Sequence, residues 1–549
     1  MNGDCRSPAA GLTVSGMGHF GVRDLLTKNR HSRASRNHTA LVYRERSWTY
    51  EELDVEVTKL ASGLTRAGFT SGDRLAVLAY NCPEYVISFF AAAHLGAVIV
   101  PLNYLLEAPE VASAVEESGS TWLVVGEELG RAVKLLPPDI RTITLGSEAF
   151  GPNSITWRSL TAGETESIPS AVITHDQEFL YQFSSGTTGV PKAAIHTHGT
   201  VLMNALLQVA EFGITSADTH LVVPALCWGA GFHDYTLATW WQGGTVVLNP
   251  SRKLDVVDLQ RTIRAHQVST VLLVPSIMRM LLDVARGDIE SLCSLRIILS
   301  GGEPVPAEAI RDLQESLPDT QTIQAYGLSE FPVITTYLDG QDAIARRGSA
   351  GKATLGAIVR VVDEDGKDVR PGEVGEIISK SLASMIGYTG IADESGTHLR
   401  DGWLFTGDRA RVDEDGFIYI AGRKKDMIIS GGLNVYPAEV EKILASDPAV
   451  KECAVVGVPD QRFGEVGLAL LVAPDAPSDL VQNLQCRLRE EVGHFKIPKH
   501  WIVTHTPLPR TASGKVQKYL LQKEYEHHPD NCTCASATTT QTLSTSSSA

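Results

Sequence analysis

Between residues 73 and 326, short apolar runs alternate with stretches long enough for amphipathic helices. The runs at 75–79, 97–100, 123–125, 221–224, 245–248, 271–274 and 297–299 read as buried strands. Strands alternating with helices predict an α/β region with largely parallel sheets, because a parallel pair needs a helix-length crossover. The most apolar run, 85–101, is shorter than the roughly 20 residues a membrane-spanning helix needs, and it contains His94 and Gly96. It predicts a buried helix followed by a buried strand. Pro83 and Glu84 suit that helix's first turn. Proline lacks only an amide that would be unpaired there, and the acid faces the positive end of the helix dipole.

From about 348 to 420 the texture changes. Strands shorten, and Asp365-Gly366, Pro371-Gly372 and Asp415-Gly416 recur as turns, which predicts hairpins in a β-rich subdomain. After Arg423-Lys424-Lys425-Asp426 the chain returns to mixed α and β until about 525. The Thr-, Ser- and Ala-rich remainder buries too little apolar surface to fold and is expected to be disordered. The expected division is a flexible 1–19, a large α/β domain with its β-rich subdomain over 20–424, a small α+β domain over 425–525, and a tail over 526–549.

A chain of 549 residues, 43% of them hydrophobic, is long and apolar enough for sizeable cores. A formal net charge of −16 argues against nucleic-acid binding and against docking on anionic lipid. Eight scattered cysteines without a CxxC pair exclude a disulfide framework, and the lone Cys532-Thr533-Cys534 reads as two thiols in the tail. No signal-type stretch is visible and no integral membrane segment is expected, so the expected location is cytoplasmic. Within the acidic chain, Arg487, Arg489, Lys496, Lys499, Arg510, Lys515, Lys518 and Lys523 face only Glu490, Glu491 and Glu524. This basic stretch could attract phosphate-bearing ligands or be a solvated face. His196 and His198 are spaced for one strand face and read as structural, since zinc would need further ligands.

The strongest local signal is Ser184-Ser185-Gly186-Thr187-Thr188-Gly189-Val190-Pro191-Lys192, flanked by strand-like runs at 179–183 and 193–196. Its glycines let the backbone approach a ligand and turn several amides into one concavity, ringed by four hydroxyls and a lysine. That composition suits a polyphosphate; the alternative is an ordinary hairpin turn. It is not a Walker loop, because GxxxxGK[ST] is absent and the loop runs into a strand.

The loop resembles the phosphate loop of the adenylate-forming superfamily, which includes acyl-CoA synthetases. Further signatures follow in the family's order over residues 20–525. Tyr326-Gly327-Leu328-Ser329-Glu330 resembles its aromatic-Gly-x-Thr/Ser-Glu motif. Gly402-Trp403-Leu404-Phe405-Thr406-Gly407-Asp408 resembles its ribose-binding segment, and Gly422-Arg423-Lys424-Lys425-Asp426 its hinge. Ser430-Gly431-Gly432-Leu433 follows, and Pro509-Arg510-Thr511-Ala512-Ser513-Gly514-Lys515 resembles the loop with the catalytic lysine.

The resemblance implies an acid–thiol ligase that uses ATP, Mg2+ and CoA. A carboxylate attacks the α-phosphate, pyrophosphate leaves, and a thiol then displaces AMP. Two negative groups meet in the first step, so cations must offset their repulsion. By resemblance Lys515 bridges the carboxylate and the α-phosphate, with Lys192 and the phosphate loop on the other phosphates. Glu330 is the implied Mg2+ ligand, its hard oxygens suiting that ion; Ser329 and Glu330 could also simply start a helix. Tyr326 would face adenine, with Gly301, Gly302, Glu303 and Pro304 as the other wall and Gly327 and Ser329 beside it. Asp408 would hold the ribose hydroxyls, or cap a turn, and Arg423 ribose or phosphate. The small domain would pivot about Lys425 and present Ser430, Gly431 and Gly432 to the CoA arm.

One stretch departs from the family. Many acyl-CoA synthetases carry Pro-x-Phe-His at the acyl pocket; here Pro224-Ala225-Leu226-Cys227-Trp228 puts Cys227 at the histidine, unless His233 takes that role. Cys227, Trp228, Phe232, His233 and Ala325 are the candidate pocket residues. The partner is a small carboxylic acid, and the acceptor is CoA or, alternatively, the phosphopantetheine thiol of an acyl carrier protein.

Overall fold

The computed structural model describes residues 20–147, 150, 153–163, 171–183, 192–250, 254–301, 305, 307–390, 398–423, 426–430, 433–460, 462–510, 514–527 and 533–534. Among these, the strands form four sheets. An eight-stranded sheet runs Gly387–Tyr388, Ala193–Thr197, Glu178–Phe183, Val98–Pro101, Arg74–Leu78, Trp122–Val125, Arg141–Thr144 and Ser154–Thr156. A nine-stranded sheet runs Lys352–Ala353, Phe331–Asp339, Gln321–Leu328, Ile297–Gly301, Thr270–Leu272, Thr219–Val222, Thr245–Leu248, Thr39–Tyr43 and Arg46–Thr49. Their central pairings are parallel, as the alternation of strand and helix predicts.

The apolar run folds as expected. Helix Pro83–Leu95 starts with proline in its first turn and stops at Gly96, whose φ of +65° suits a residue without Cβ. Phe89 and Phe90 are buried on it, and Phe89 stacks on Phe232 with ring centroids 4.0 Å apart. Removing such a ring costs about 3–5 kcal/mol. The helix therefore fixes the 227–235 segment against the sheet.

The turn-rich region forms the five-stranded antiparallel sheet of Ala357–Val362, Val374–Ser381, Trp403–Val412, Leu399–Arg400 and Ile418–Arg423. The small domain carries the fourth sheet, in which Glu452–Asp460 and Gly464–Val472 form a hairpin and His500–Thr504 lies parallel to the second strand. Trp501 is buried there with Val440, Leu444 and Leu484. The tail differs from expectation at one point: Thr533–Cys534 pairs antiparallel with His500 and Trp501. An open sheet edge offers unpaired amides and carbonyls, which a polar segment can satisfy without a core. Among the described residues, no helix is long and apolar enough to cross a membrane.

Candidate active site

Sheet register builds the first part of the site. Strands Trp403–Val412 and Ile418–Arg423 are antiparallel with Asp408 opposite Arg423. Arg423 Nε lies 2.9 Å from Asp408 Oδ1. Tyr326, on strand Gln321–Leu328, donates its hydroxyl to Asp408 Oδ2 at 2.6 Å. Thr406 Oγ1 accepts from the Asp408 amide at 3.1 Å, so within strand Trp403–Val412 it is Thr406, not Asp408, whose side chain accepts from the backbone. Asp408 is only 5% exposed, and such a buried carboxylate needs these partners. Burial and the Asp408 charge push the Tyr326 phenol well above its ordinary pKa, which keeps it a donor.

The second part is a turn. Ser329 and Glu330 do not start a helix; they join the antiparallel strands Gln321–Leu328 and Phe331–Asp339. The Met385 amide donates to the Glu330 carbonyl at 2.8 Å, and Tyr388 donates to Glu330 Oε1 at 2.7 Å. His196 Nε2 lies 2.8 Å from the Ser329 carbonyl. His196 and His198 do not share a strand face: the strand ends at Thr197, and His198 opens helix His198–Phe212. His198 stacks on Phe179, and burial pushes it down to about 3.

The third part comes from the small domain. Arg510 and Val516 form a bridge, Arg510 donates to the Gly514 carbonyl at 2.6 Å, and its other nitrogen pairs with Glu452 at 2.7 Å. Gly514, at φ +85°, turns the chain into Lys515. Lys515 keeps an exposed surface yet has protein crowded about it. That desolvation, then the Arg423 charge, lowers its pKa from the ordinary lysine value, while Asp408 and Glu330 pull the other way. The structure thus brings Lys515, Arg423, Asp408, Tyr326 and Glu330 together across the domain boundary. The nearby basic stretch is partly neutralised: Arg487 pairs with Glu491, Lys496 with Glu439, and Lys518 with Glu441.

Other candidates are placed less centrally. Lys192 is half-buried just before strand Ala193–Thr197. Ala325 packs beside Leu299 and Phe212. Ser430 is buried in Ile428–Ser430 opposite Leu433, which is 50% exposed. Cys227 is buried, its thiol pushed up to about 12 by burial, and its carbonyl accepts from Gln182 Nε2 at 2.9 Å. Trp228 is partly exposed, whereas Phe232 is taken up by the aromatic core. His233 is buried at the end of helix Gly229–Phe232, and burial pushes it down to about 3. Ser184, Ser185, Gly186, Thr187, Thr188, Gly189, Gly302, Glu303, Pro304, Lys425, Gly431 and Gly432 lie outside the described residues.

The donor chemistry fits a magnesium–nucleotide complex. Asp408 offers two acceptor oxygens where a ribose has two hydroxyls. Glu330 offers hard carboxylate oxygens, one of them already steered by Tyr388. When bound, Mg2+ would supply charge neutralisation at the phosphates, and Glu330 is the described residue suited to reach it.

A family model described as AMP-binding enzyme matches residues 28–389, and one described as AMP-binding enzyme C-terminal domain matches 439–515. The chain belongs to the AMP-binding enzyme family. It is 36% identical over 501 residues to a feruloyl-CoA synthase of Amycolatopsis, covering 90% of this chain and 98% of that protein. It is 32% identical to the fatty acid–[acyl-carrier-protein] ligase ScoC of Streptomyces coeruleorubidus, covering 91% and 96%. The o-succinylbenzoate–CoA synthetase of Bacillus subtilis, solved with ATP and magnesium, superposes with a TM-score of 0.79 at 29% identity, covering 90% and 98%. As a member of this family the chain is an AMP-forming acid–thiol ligase of the acyl-CoA synthetase type, working through an acyl-adenylate.

Tyr388, His196 and Arg510 were not singled out as site residues by sequence. Gly387-Tyr388-Thr389-Gly390 has no motif spacing of its own, and only strand pairing brings it to Glu330.

Proposed function

We propose that this enzyme adenylates an aromatic carboxylic acid and delivers the acyl group to free CoA. The observation that carries the reading is the buried Asp408 carboxylate held by Arg423 at 2.9 Å and the Tyr326 hydroxyl at 2.6 Å, with Glu330 held by Tyr388 and Lys515 on the loop that Arg510 braces. That is the arrangement the adenylation step requires. A substrate carboxylate oxygen attacks the α-phosphorus, the α–β bridging bond breaks, and pyrophosphate leaves. Lys515 offsets the repulsion between carboxylate and phosphate. Asp408 binds the ribose, Tyr326 borders the adenine, and Lys192 with the phosphate loop holds the outer phosphates. Then the small domain turns about Lys425, and the CoA sulfur, having lost its proton, attacks the acyl carbon and expels AMP. The paired strands Ile428–Ser430 and Leu433–Val435 flank the path of the pantetheine arm.

Aromatic acids are supported by the partly exposed Trp228 and by two similar proteins whose names specify aromatic acids, feruloyl-CoA synthase and o-succinylbenzoate–CoA synthetase. The similarity to ScoC favours a second reading, a carrier-protein thiol as acceptor. Pyrophosphate release over aromatic, fatty and short dicarboxylic acids tests the first claim; release only with alkyl acids overturns it. AMP release with free CoA against a phosphopantetheinylated carrier protein tests the second. Turnover only with the carrier overturns the CoA assignment.

A further inference from the structure

We propose that Tyr388 is a positioning residue for the Glu330 carboxylate, on a strand that ties this carboxylate to the exit of the phosphate loop. This rests on the reading of Glu330 as the Mg2+ ligand.

Gly387–Tyr388 lies in sequence between strands Val374–Ser381 and Leu399–Arg400 of the turn-rich sheet, yet forms the edge of the eight-stranded one, antiparallel to Ala193–Thr197. The Ile386 amide donates to the Ile195 carbonyl at 2.9 Å. Three residues on, the Thr389 amide donates to the Ala193 carbonyl at 3.0 Å, and Thr389 Oγ1 accepts from the Ala193 amide at 3.2 Å. Ala193 directly follows Lys192, so this strand pins the backbone where the phosphate loop ends. The same segment grips the Glu330 turn through the Met385 amide and the Tyr388 hydroxyl. His196, next along the paired strand, holds the Ser329 carbonyl at 2.8 Å. It is 1% exposed, and burial pushes it down to about 4, so near neutral pH it is an uncharged imidazole whose Nε2 carries the donated proton.

Tyr388 cannot swing freely. Its ring meets His398 edge-on at 5.3 Å and packs against the cluster of Ala194, Met385 and Leu404. A phenol so held commits one Glu330 oxygen and fixes the rotamer from which the other meets a cation. Without it the carboxylate would have to be ordered at the moment of binding. Partners that orient a metal ligand in this way typically change metal affinity about 10- to 100-fold when removed.

The experiment compares wild-type enzyme, Tyr388→Phe and Glu330→Gln. Binding of Mn2+ in the presence of a non-hydrolysable ATP analogue is followed by electron paramagnetic resonance. Thermal melts and acyl-AMP consumption by CoA are measured on the same preparations. The expected result is roughly tenfold weaker Mn2+ binding in Tyr388→Phe, an unchanged Tm, and a larger loss in Glu330→Gln. Wild-type metal affinity in Tyr388→Phe, with Glu330→Gln weakened, overturns the positioning role and leaves the Glu330 reading standing. Wild-type affinity in Glu330→Gln overturns that reading and the proposal with it. A Tyr388→Phe variant with lowered Tm and equal losses in metal binding and acyl-AMP consumption marks a merely structural tyrosine and also overturns the proposal.

Discussion

The two faces that meet at the site are built differently. On the large-domain face, Asp408 is buried and held by Tyr326, Arg423 and Thr406, all on sheet strands. On the small-domain face, Lys515 stands exposed on a loop that Arg510 braces through the Gly514 carbonyl. In the function proposed above, the groups that hold the nucleotide are those that register fixes, and the cation needed in only one of the two steps is the one carried on a loop. The lesson is that damage to the first face should affect binding and stability together, whereas damage to the second should affect one chemical step.

The sharpest way to break this contrast is Lys515→Ala. Acyl-AMP formation should fall about 10²–10³-fold, the range for losing one preorganised charge-stabilising group. Consumption of supplied acyl-AMP by CoA should persist, as single-turnover assays of the two halves would show. Equal losses in both halves would move Lys515 to the fixed side.

Asp408→Asn probes the other face. Tyr326 and Arg423 both lose a charged acceptor, and hydrogen bonds to charged groups are each worth about 1.5–3 kcal/mol. KM for ATP should rise about 10- to 100-fold, with a lowered Tm that Lys515→Ala does not share. An unchanged Tm would mean that the carboxylate serves the ligand alone.

Acid stability extends the comparison to whole domains. Burial pushes His196 down to about 4 and His198, His220 and His233 down to about 3, all in the large domain. Below about pH 6.5 the unfolded chain binds protons at these rings that the folded one refuses. Stability is therefore present above that pH and is lost as it falls toward 4 and then 3, each ring contributing at most about 1.4 kcal/mol per pH unit. Denaturant midpoints at pH 7 and 5 should shift for the large domain's tryptophans more than for Trp501, the single tryptophan after residue 425. A larger shift at Trp501 would refute the assignment.

The smallest effect concerns the alkaline limb of adenylation. Lys515 titrates below the ordinary lysine value, so the rate should decline at a pH below that value as the ammonium is lost. Arg423→Gln removes a repelling charge and should move the limb up by a fraction of a pH unit. Asp408→Asn removes an attracting one and should move it down. Matching shifts of the same sign in pH–rate profiles would show that Lys515 does not sense these groups directly.

The sequence by itself determined the strands and the texture of the regions, because apolar runs, proline at a first turn and Asp-Gly turns act over a few residues. Strand Thr245–Leu248 and helix Pro83–Leu95 form where the pattern places them. The ordered motifs were legible for a similar reason, since each is short and its chemistry is carried by its own residue types. Tertiary structure alone decided which groups meet. Tyr326 reaches Asp408 across 82 residues, Tyr388 reaches Glu330 across 58, and His196 reaches Ser329 across 133. It also decided that Ser329 and Glu330 turn between two strands, and that Thr533–Cys534 closes onto a sheet edge. These outcomes depend on sheet register and on which edges lie open, and a hydrogen bond between distant residues leaves no periodicity in either of the segments it joins.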